Sequence, residues 1–342
     1  MKPETVIPET VPSEGRVTLP NDRALQDALG AAAERLRPHI IRTGLLTSER
    51  LDQRLGGRVF LKPENLQVTG SFKARGAMNA LLNLPERVRA RGVFAYSSGN
   101  HAQGLARAAQ RLGVAARIAM PQDAPRLKIE RTRALGAELV LYDWLSETRE
   151  AVAAREQGDR HRIEPYDDFD VIMGQGTAGL EMAEDMTRLG VRPDLYLCCT
   201  GGGGLLAGTT LALAAQFSEL DVYAVEPEGF DDWVRSLRSG RRERNARLGG
   251  SLCDAIVTPS PGLLPWELMQ NRLTAGLAVS DTEALAAVRW AAQELKLVLE
   301  PGGAVALAAL LSGKLELAGR TALVMLSGGN IDPALLQSAI HA

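Results

Sequence analysis

Residues 64–76 read Glu-Asn-Leu-Gln-Val-Thr-Gly-Ser-Phe-Lys-Ala-Arg-Gly, a Thr-Gly-Ser turn running directly into Lys73 and then into a helical stretch, Ala74 to Leu82. Serine is a preferred N-cap, so Ser71 is expected to cap this helix. The N–H groups of its first turn would then face outward beside the Lys73 amine, where an anion is held without side-chain charge. A lysine amine so placed suits covalent bonding to a carbonyl carbon. Taken alone, Ser-Phe-Lys equally describes a surface lysine on a capped helix, and three further turns decide between the two readings.

Ser97-Ser98-Gly99-Asn100-His101-Ala102-Gln103-Gly104 follows the apolar run from Gly92 to Tyr96 and precedes an Ala/Leu-rich helix. Such a strand-to-helix turn offers N–H groups to a carboxylate, and Asn100 has an amide to donate to a hydroxyl. Thr200-Gly201-Gly202-Gly203-Gly204-Leu205 follows the strand-like Asp194 to Cys199. Consecutive glycines let successive N–H groups converge on one anion, so this turn reads as a phosphate cradle. Ser327-Gly328-Gly329-Asn330 closes a third apolar run, Thr321 to Leu326, and suits one specific hydrogen bond.

Short apolar runs alternate with helical patterns: Val59–Leu61, Gly92–Tyr96, Ala116–Met120, Glu138–Tyr142, Leu195–Cys199, Val222–Val225 and Ala322–Leu326. That rhythm is α/β with parallel sheets. With 39 basic and 41 acidic residues, the net charge of −2 carries no electrostatic footprint for nucleic acid or membrane. The arginines 241, 242, 244 and 247 surround Glu243 and read as a solvated loop. Cys198, Cys199 and Cys253 read as small buried hydrophobes, which fits a reducing, cytoplasmic compartment. No run approaches the length of a membrane helix. Residues 1–20 hold four prolines and no apolar leader core, and are expected to be a mobile tail.

Gly174-Gln-Gly176-Thr-Ala-Gly179 satisfies the three-glycine pattern of dinucleotide binding and precedes a helical run, Leu180 to Leu189. Asp168 to Met173 is a poor strand, and the end of the next strand, Cys198 to Thr200, carries no acid, so nucleotide binding is not expected. The four histidines show no metal-ligand spacing, and a hydrogen-bonding role is expected for His101.

In combination and in order, the four motifs resemble those of the pyridoxal-phosphate (PLP) enzymes of fold type II, specifically the threonine/serine dehydratase (ammonia-lyase) and serine racemase family. The resemblance runs from about Leu25 to about Pro333. It implies a tryptophan synthase β-like fold of two open parallel-sheet domains with the cofactor in the cleft. Residues 85–165 would form a small substrate-carboxylate domain inserted in a large PLP-binding domain made of 21–84 and 166–342. Lys73 would carry the cofactor as a Schiff-base lysine and Phe72 would pack beside the ring. Asn100 would bond the ring hydroxyl, Gly201, Gly202, Gly203, Gly204 and Leu205 would hold the phosphate, and Ser327 would bond the pyridine nitrogen. The substrate carboxylate would lie against Ser97, Ser98, Gly99, Asn100 and His101.

The chemistry so implied is αβ-elimination from a β-hydroxy amino acid such as L-threonine or L-serine, giving a 2-oxo acid and ammonia, with Lys73 as the base. Ser98 matches a serine that acts on the opposite substrate face in serine racemases and hydroxyaspartate dehydratases, which keeps racemisation and 3-hydroxyaspartate dehydration open; a helix-capping role for it is equally open. Arg149 matches an arginine that reaches a second substrate carboxylate in relatives, and also reads as a helix-surface charge. Relatives bind Mg²⁺ or Ca²⁺ through carboxylates matching Glu226 and Asp232 and a backbone carbonyl matching Phe230; all-oxygen ligation suits a hard cation. Ala255 replaces a glycine common in relatives near the ring, and Glu300 matches a carboxylate lining the site. A homodimer or homotetramer is implied. The sequence ends soon after Asn330, so no regulatory domain like that of long biosynthetic threonine deaminases is expected, and a catabolic role is favoured. A β-replacement synthase would share the lysine and the glycine cradle, and a degenerate non-enzymatic binding module is a third reading.

Overall fold

The computed structural model describes residues 19–341 apart from Ser98, Pro125, Trp144 and Leu248. The tail read over residues 1–20 and the roles read for Ser98 therefore lie outside the described residues, Leu19 and Pro20 excepted.

The apolar runs become strands. They are β1 (Arg58–Pro63), β2 (Val93–Tyr96), β3 (Ala116–Pro121), β4 (Glu138–Tyr142), β5 (His161–Arg162), β6 (Leu195–Cys199), β7 (Asp221–Pro227), β8 (Ala275–Val279) and β9 (Thr321–Leu326). They form a five-stranded sheet, β1-β9-β6-β7-β8, and a four-stranded sheet, β4-β3-β2-β5. Every pairing within them is parallel. Parallel neighbours need crossover connections, which is why helices separate the strands in sequence and cover the sheets on both sides. β6 shows the consequence: Leu195, Leu197 and Cys199 enter one apolar cluster while Tyr196 and Cys198 enter another. Both faces of the strand are buried, so it reads as an unbroken apolar run.

Strand order positions the site. β1, β9 and β6 are neighbours, so the segment leading to Lys73, the Ser327 turn and the glycine loop leave the same edge of one sheet side by side. The carboxyl ends of parallel strands are where α/β folds place ligands. An antiparallel bridge between Ser71 and Gly328 ties the first two segments together.

Three local expectations are corrected. The helix bearing Lys73 spans Lys73–Asn83 and has Phe72, not Ser71, as its N-cap, with no side-chain cap bond. The Ser71 backbone is extended and its hydroxyl is buried without a partner. The N–H groups of Ala74 and Arg75 bond to the carbonyls of Ser71 and Phe72, and that of Gly76 to Gln175, so this helix start presents no free anion-binding turn. The Gly174–Gly179 segment is interior to a helix, Phe169–Leu189, capped by Asp168. Its glycines serve close helix crossing: a Cβ on Gly176 would lie 2.8 Å from the Gly208 carbonyl oxygen, and one on Gly179 2.7 Å from that of Thr209.

Two residues after Lys73, the fully buried Arg75 holds Glu64 by two hydrogen bonds of 2.7 and 2.8 Å, and Glu181 at 2.8 and 2.9 Å. Lys62 of β1 completes the cluster on Glu181 at 2.5 Å. Paired and hydrogen-bonded charges of this kind tolerate burial, whereas removing one partner leaves an uncompensated charge. The network fixes the lysine-bearing helix against β1 and the long helix 169–189.

Candidate active site

The Lys73 amine is enclosed and donates one hydrogen bond, 2.5 Å long, to the carbonyl of Pro165. It lies 5.0 Å from the centre of the Phe72 ring. Burial pulls its pKa down to about 7, because an ammonium loses solvation there. Near neutrality a substantial fraction is therefore free amine.

Opposite stands the glycine loop. Gly203 is the N-cap of helix Gly204–Ala214, with φ of 93°, a left-handed conformation that glycine adopts without strain. The N–H groups of Gly202, Gly203, Gly204, Leu205 and Leu206 have no acceptor among the described residues, whereas the next, Ala207, bonds to the Gly203 carbonyl. This row of free donors at the start of an apolar helix is an anion site without side-chain charge. Side chains could not replace the glycines: a Cβ at Gly202 would lie 2.2 Å from the Tyr166 ring, and one at Gly203 2.2 Å from Trp233. Trp233 Nε1 donates to the Gly201 carbonyl at 2.8 Å and fixes the loop from behind.

The third wall is the turn after β2. Ser97 Oγ accepts the Gly99 N–H at 3.3 Å, and Asn100 starts the helix Asn100–Leu112. The Asn100 amide is held between Glu300 Oε1, to which it donates at 2.5 Å, and Asn330, whose Nδ2 donates to its Oδ1 at 2.8 Å. His101 Nε2 lies 3.0 Å from the Ile163 carbonyl. Burial first, then the Lys73 charge, lowers His101 to about 3, so it is a neutral donor to that carbonyl and is not cationic at neutral pH.

One cleft of roughly 130 Å³ collects Phe72, Lys73, Ser97, Gly99, Asn100, His101, Arg149, Gly201 to Leu205 and Ala255. Ser327 is not in its lining; it sits buried behind Cys199, its hydroxyl facing that thiol and its carbonyl accepting the Phe72 N–H at 3.2 Å. Arg149 is exposed at the rim, its guanidinium 5.9 Å from the Tyr96 ring centre. Three contributors carry no local signal in the sequence: Pro165, Tyr166 and Lys128. Tyr166 lies over the glycine loop, its hydroxyl raised to about 12 by burial. Lys128 bonds Asp254 at 2.7 Å across the cleft and approaches the Gly99 turn.

Glu226 and Asp232 lie apart from this cleft. The Glu226 carboxylate accepts the N–H groups of Trp233 at 3.1 Å and Val234 at 3.0 Å, capping the helix Asp232–Ser239. Asn245 donates to Asp232 Oδ1 at 2.5 Å, while Oδ2 is buried without a partner. Burial first raises both carboxyls, Asp232 to about 7 and Glu226 well above its usual range. No cluster of three or more His, Cys, Asp or Glu with metal-ligand geometry occurs among the described residues.

The observed groups fit a planar phosphate-bearing aldehyde: a row of unpaired N–H groups for the phosphate, an enclosed free amine for the aldehyde, and an apolar ring beside it. Family comparison agrees. The model of the family described as pyridoxal-phosphate dependent enzyme matches residues 36–328, and the chain belongs to that family. It is 41% identical to an L-threo-3-hydroxyaspartate ammonia-lyase of Pseudomonas sp, over 88% of this chain and 93% of that one. It is 39% identical to the L-threonine ammonia-lyase of Thermotoga maritima, over 91% of this chain and 76% of that one. Among solved structures, the threonine deaminase of T.th. superposes with a TM-score of 0.82 at 43% identity, covering 90% of this chain and 98% of that one.

Proposed function

We propose that the protein is a PLP-dependent ammonia-lyase that eliminates the β-hydroxyl of an amino acid such as L-threonine or L-serine as water, the resulting enamine then taking up a water to give a 2-oxo acid and ammonia. One observation carries the reading: the free Lys73 amine, the glycine N–H row and the Ser97–Asn100 turn open into a single cleft. The cofactor, when bound, supplies the electron sink that makes a Cα proton removable. The chain does the rest. The N–H groups of Gly202 to Leu206 hold the phosphate; Phe72 packs on the ring; Asn100 directs its amide at the ring hydroxyl oxygen; and the Ser97–Asn100 turn with His101 receives the substrate carboxylate. Lys73 Nζ, lowered by burial to about 7, takes the proton from Cα as general base. We assign the carboxylate turn to a small domain of residues 85–165 set between 21–84 and 166–342, and Ser327 to the ring nitrogen, which its hydroxyl would meet by turning from Cys199 toward the cleft.

Arg149 at the rim supports a second reading, in which the substrate is a 3-hydroxyaspartate whose second carboxylate meets the guanidinium. The paired, buried Glu226 and Asp232, with an orphaned Asp232 Oδ2 and the Phe230 carbonyl nearby in sequence, fit a hard divalent cation such as Mg²⁺ or Ca²⁺. A homodimer or homotetramer acting in the cytoplasm completes the proposal. The deciding assay is 2-oxo acid and ammonia release from both configurations of serine, threonine and 3-hydroxyaspartate. Release from at least one is the expected result. No release from any, with turnover of an activated amino acid and a thiol instead, would make the protein a β-replacement synthase.

A further inference from the structure

Glu300 occupies the N-cap position of the helix Pro301–Leu311 yet makes no capping bond. Its carboxyl turns to Asn100 instead, accepting Nδ2 at 2.5 Å. The residue is 2% exposed, and Oε2 has no hydrogen-bond partner. An unpaired buried carboxyl oxygen is unfavourable for stability, so this one calls for an explanation in function.

The partners of Asn100 supply it. Asn330 Nδ2 donates to Asn100 Oδ1 at 2.8 Å, and the same Nδ2 donates to the Thr69 carbonyl at 2.8 Å. Arg131 donates to Asn330 Oδ1 at 3.1 Å. The Asn100 amide is thereby fixed with its carbonyl toward Asn330 and its NH₂ toward Glu300. An amide NH₂ has two hydrogens; Glu300 takes one, and the other is left for the cleft that Asn100 lines. Chain packing enforces the contact: a Cβ at Gly328 would come within 2.1 Å of Glu300 Oε1.

Glu300 also lines a second cavity, roughly 210 Å³, on the far side of the Lys128–Asp254 pair, with Arg131, Asn330 and Asp332. The residue thus bridges two spaces. Its carboxyl meets the cleft through Asn100, and the residue borders the second cavity.

We infer that Glu300 is a positioning residue for the ring end of the cofactor, acting through Asn100 and exchanging its proton through the side cavity. The inference rests on the proposed reading, in which the second Asn100 hydrogen is donated to the ring hydroxyl oxygen. As a neutral acid Glu300 accepts from Asn100 and keeps charge away from the ring. Ionised, it places a negative charge behind the amide and makes the other Asn100 hydrogen a weaker donor, so the ring oxygen is less able to hold negative charge. Burial, the largest influence, raises the carboxyl to about 7; Lys128, the Asn100 amide and the nearby Asn330 backbone oppose the rise, and Asp254 adds to it.

The test uses cofactor-loaded enzyme, PLP as probe, and the variants Glu300→Gln and Glu300→Ala. Gln keeps the volume and the acceptor but cannot ionise; Ala leaves the Asn100 NH₂ unpaired. The visible absorbance of the wild type is expected to titrate between about pH 6 and 8, and that of Glu300→Gln to be flat across this range. Release of PLP on dilution is expected to be about tenfold faster or more from Glu300→Ala and to be restored by Gln, since an abandoned buried donor weakens the bound state by about that factor. Melting curves of the cofactor-free proteins show whether each variant is folded. An identical titration in wild type and Glu300→Gln, or no wild-type titration in this range, with wild-type PLP retention in Glu300→Ala, overturns the inference. A wild type that takes up no PLP contradicts instead the functional reading beneath it.

Discussion

Lys73 Nζ is bound to the carbonyl oxygen of Pro165, 92 residues away, at 2.5 Å. The bond joins the start of the helix 73–83 to the segment between β5 and the helix 169–189. The amine is thereby held at the wall of the cleft.

The consequence for stability has a definite sign. Lys73 falls from 10.5 to about 7 on folding, so between those values the unfolded chain binds more protons and stability rises with pH. The full penalty applies below about 7 and vanishes above the unfolded value. Cofactor-free Lys73→Met is therefore expected to exceed the wild type in stability at pH 7, on the order of 1–3 kcal/mol, with the gap closing toward pH 10. Urea unfolding at several pH values measures it; a gap that is constant with pH would mean the amine is solvated.

At Gly202 the loop meets the Tyr166 ring, so Gly202→Val is expected to displace that ring or the loop and weaken PLP binding roughly tenfold or more. The double variant Gly202→Val/Tyr166→Ala should recover part of the loss. Fluorescence titration with PLP reads both, and wild-type affinity in the single variant would place the phosphate elsewhere.

The carboxyls of Asp232 and Glu226 are raised on folding, Asp232 from 3.8 to about 7. Here the folded state binds more protons, so their contribution is present at low pH and is lost as pH rises through about 7. Metal-free enzyme is expected to lose stability between about pH 4 and 7, and Asp232→Asn to show a flatter profile. Excess Mg²⁺ or Ca²⁺ should raise the melting temperature at pH 8 in the wild type and not in the variant, by mass action on the folded state. Equal melting temperatures with chelator and with cation would remove the metal from the account.

For Arg149→Met, the KM for 3-hydroxyaspartate is expected to rise by about 10–100-fold with little change for serine, because a charge-assisted carboxylate contact is worth roughly 1.5–3 kcal/mol. Equal effects on both substrates would make Arg149 a rim residue stacked on Tyr96 and nothing more.

Much of this molecule is legible in its sequence because most strands of the larger sheet, β1, β6, β7 and β9, are buried on both faces and so appear as apolar runs. Two strands escape that signal. β8 reads Ala-Gly-Leu-Ala-Val, poor in β-branched residues and only partly buried at a sheet edge. β5 is a two-residue exposed His-Arg edge. The Ser71 side-chain cap fails although its backbone is extended, as an N-cap's normally is: the Ala74 and Arg75 N–H groups bond to the Ser71 and Phe72 carbonyls, and the Ser71 hydroxyl takes none of them. Motif residues at strand ends are legible because backbone geometry there demands glycine or a small polar side chain. Pro165, Tyr166 and Lys128 are not, since each reaches the cleft from a segment that carries no motif and is brought in by packing alone.

The most direct test of the central claim is to reduce the PLP-loaded enzyme with borohydride, digest it and locate the pyridoxyl group by mass spectrometry. The account predicts one modified residue, Lys73, in wild-type enzyme, and no modified peptide in Lys73→Ala. A pyridoxyl group on any other lysine, or its persistence in Lys73→Ala, would contradict it.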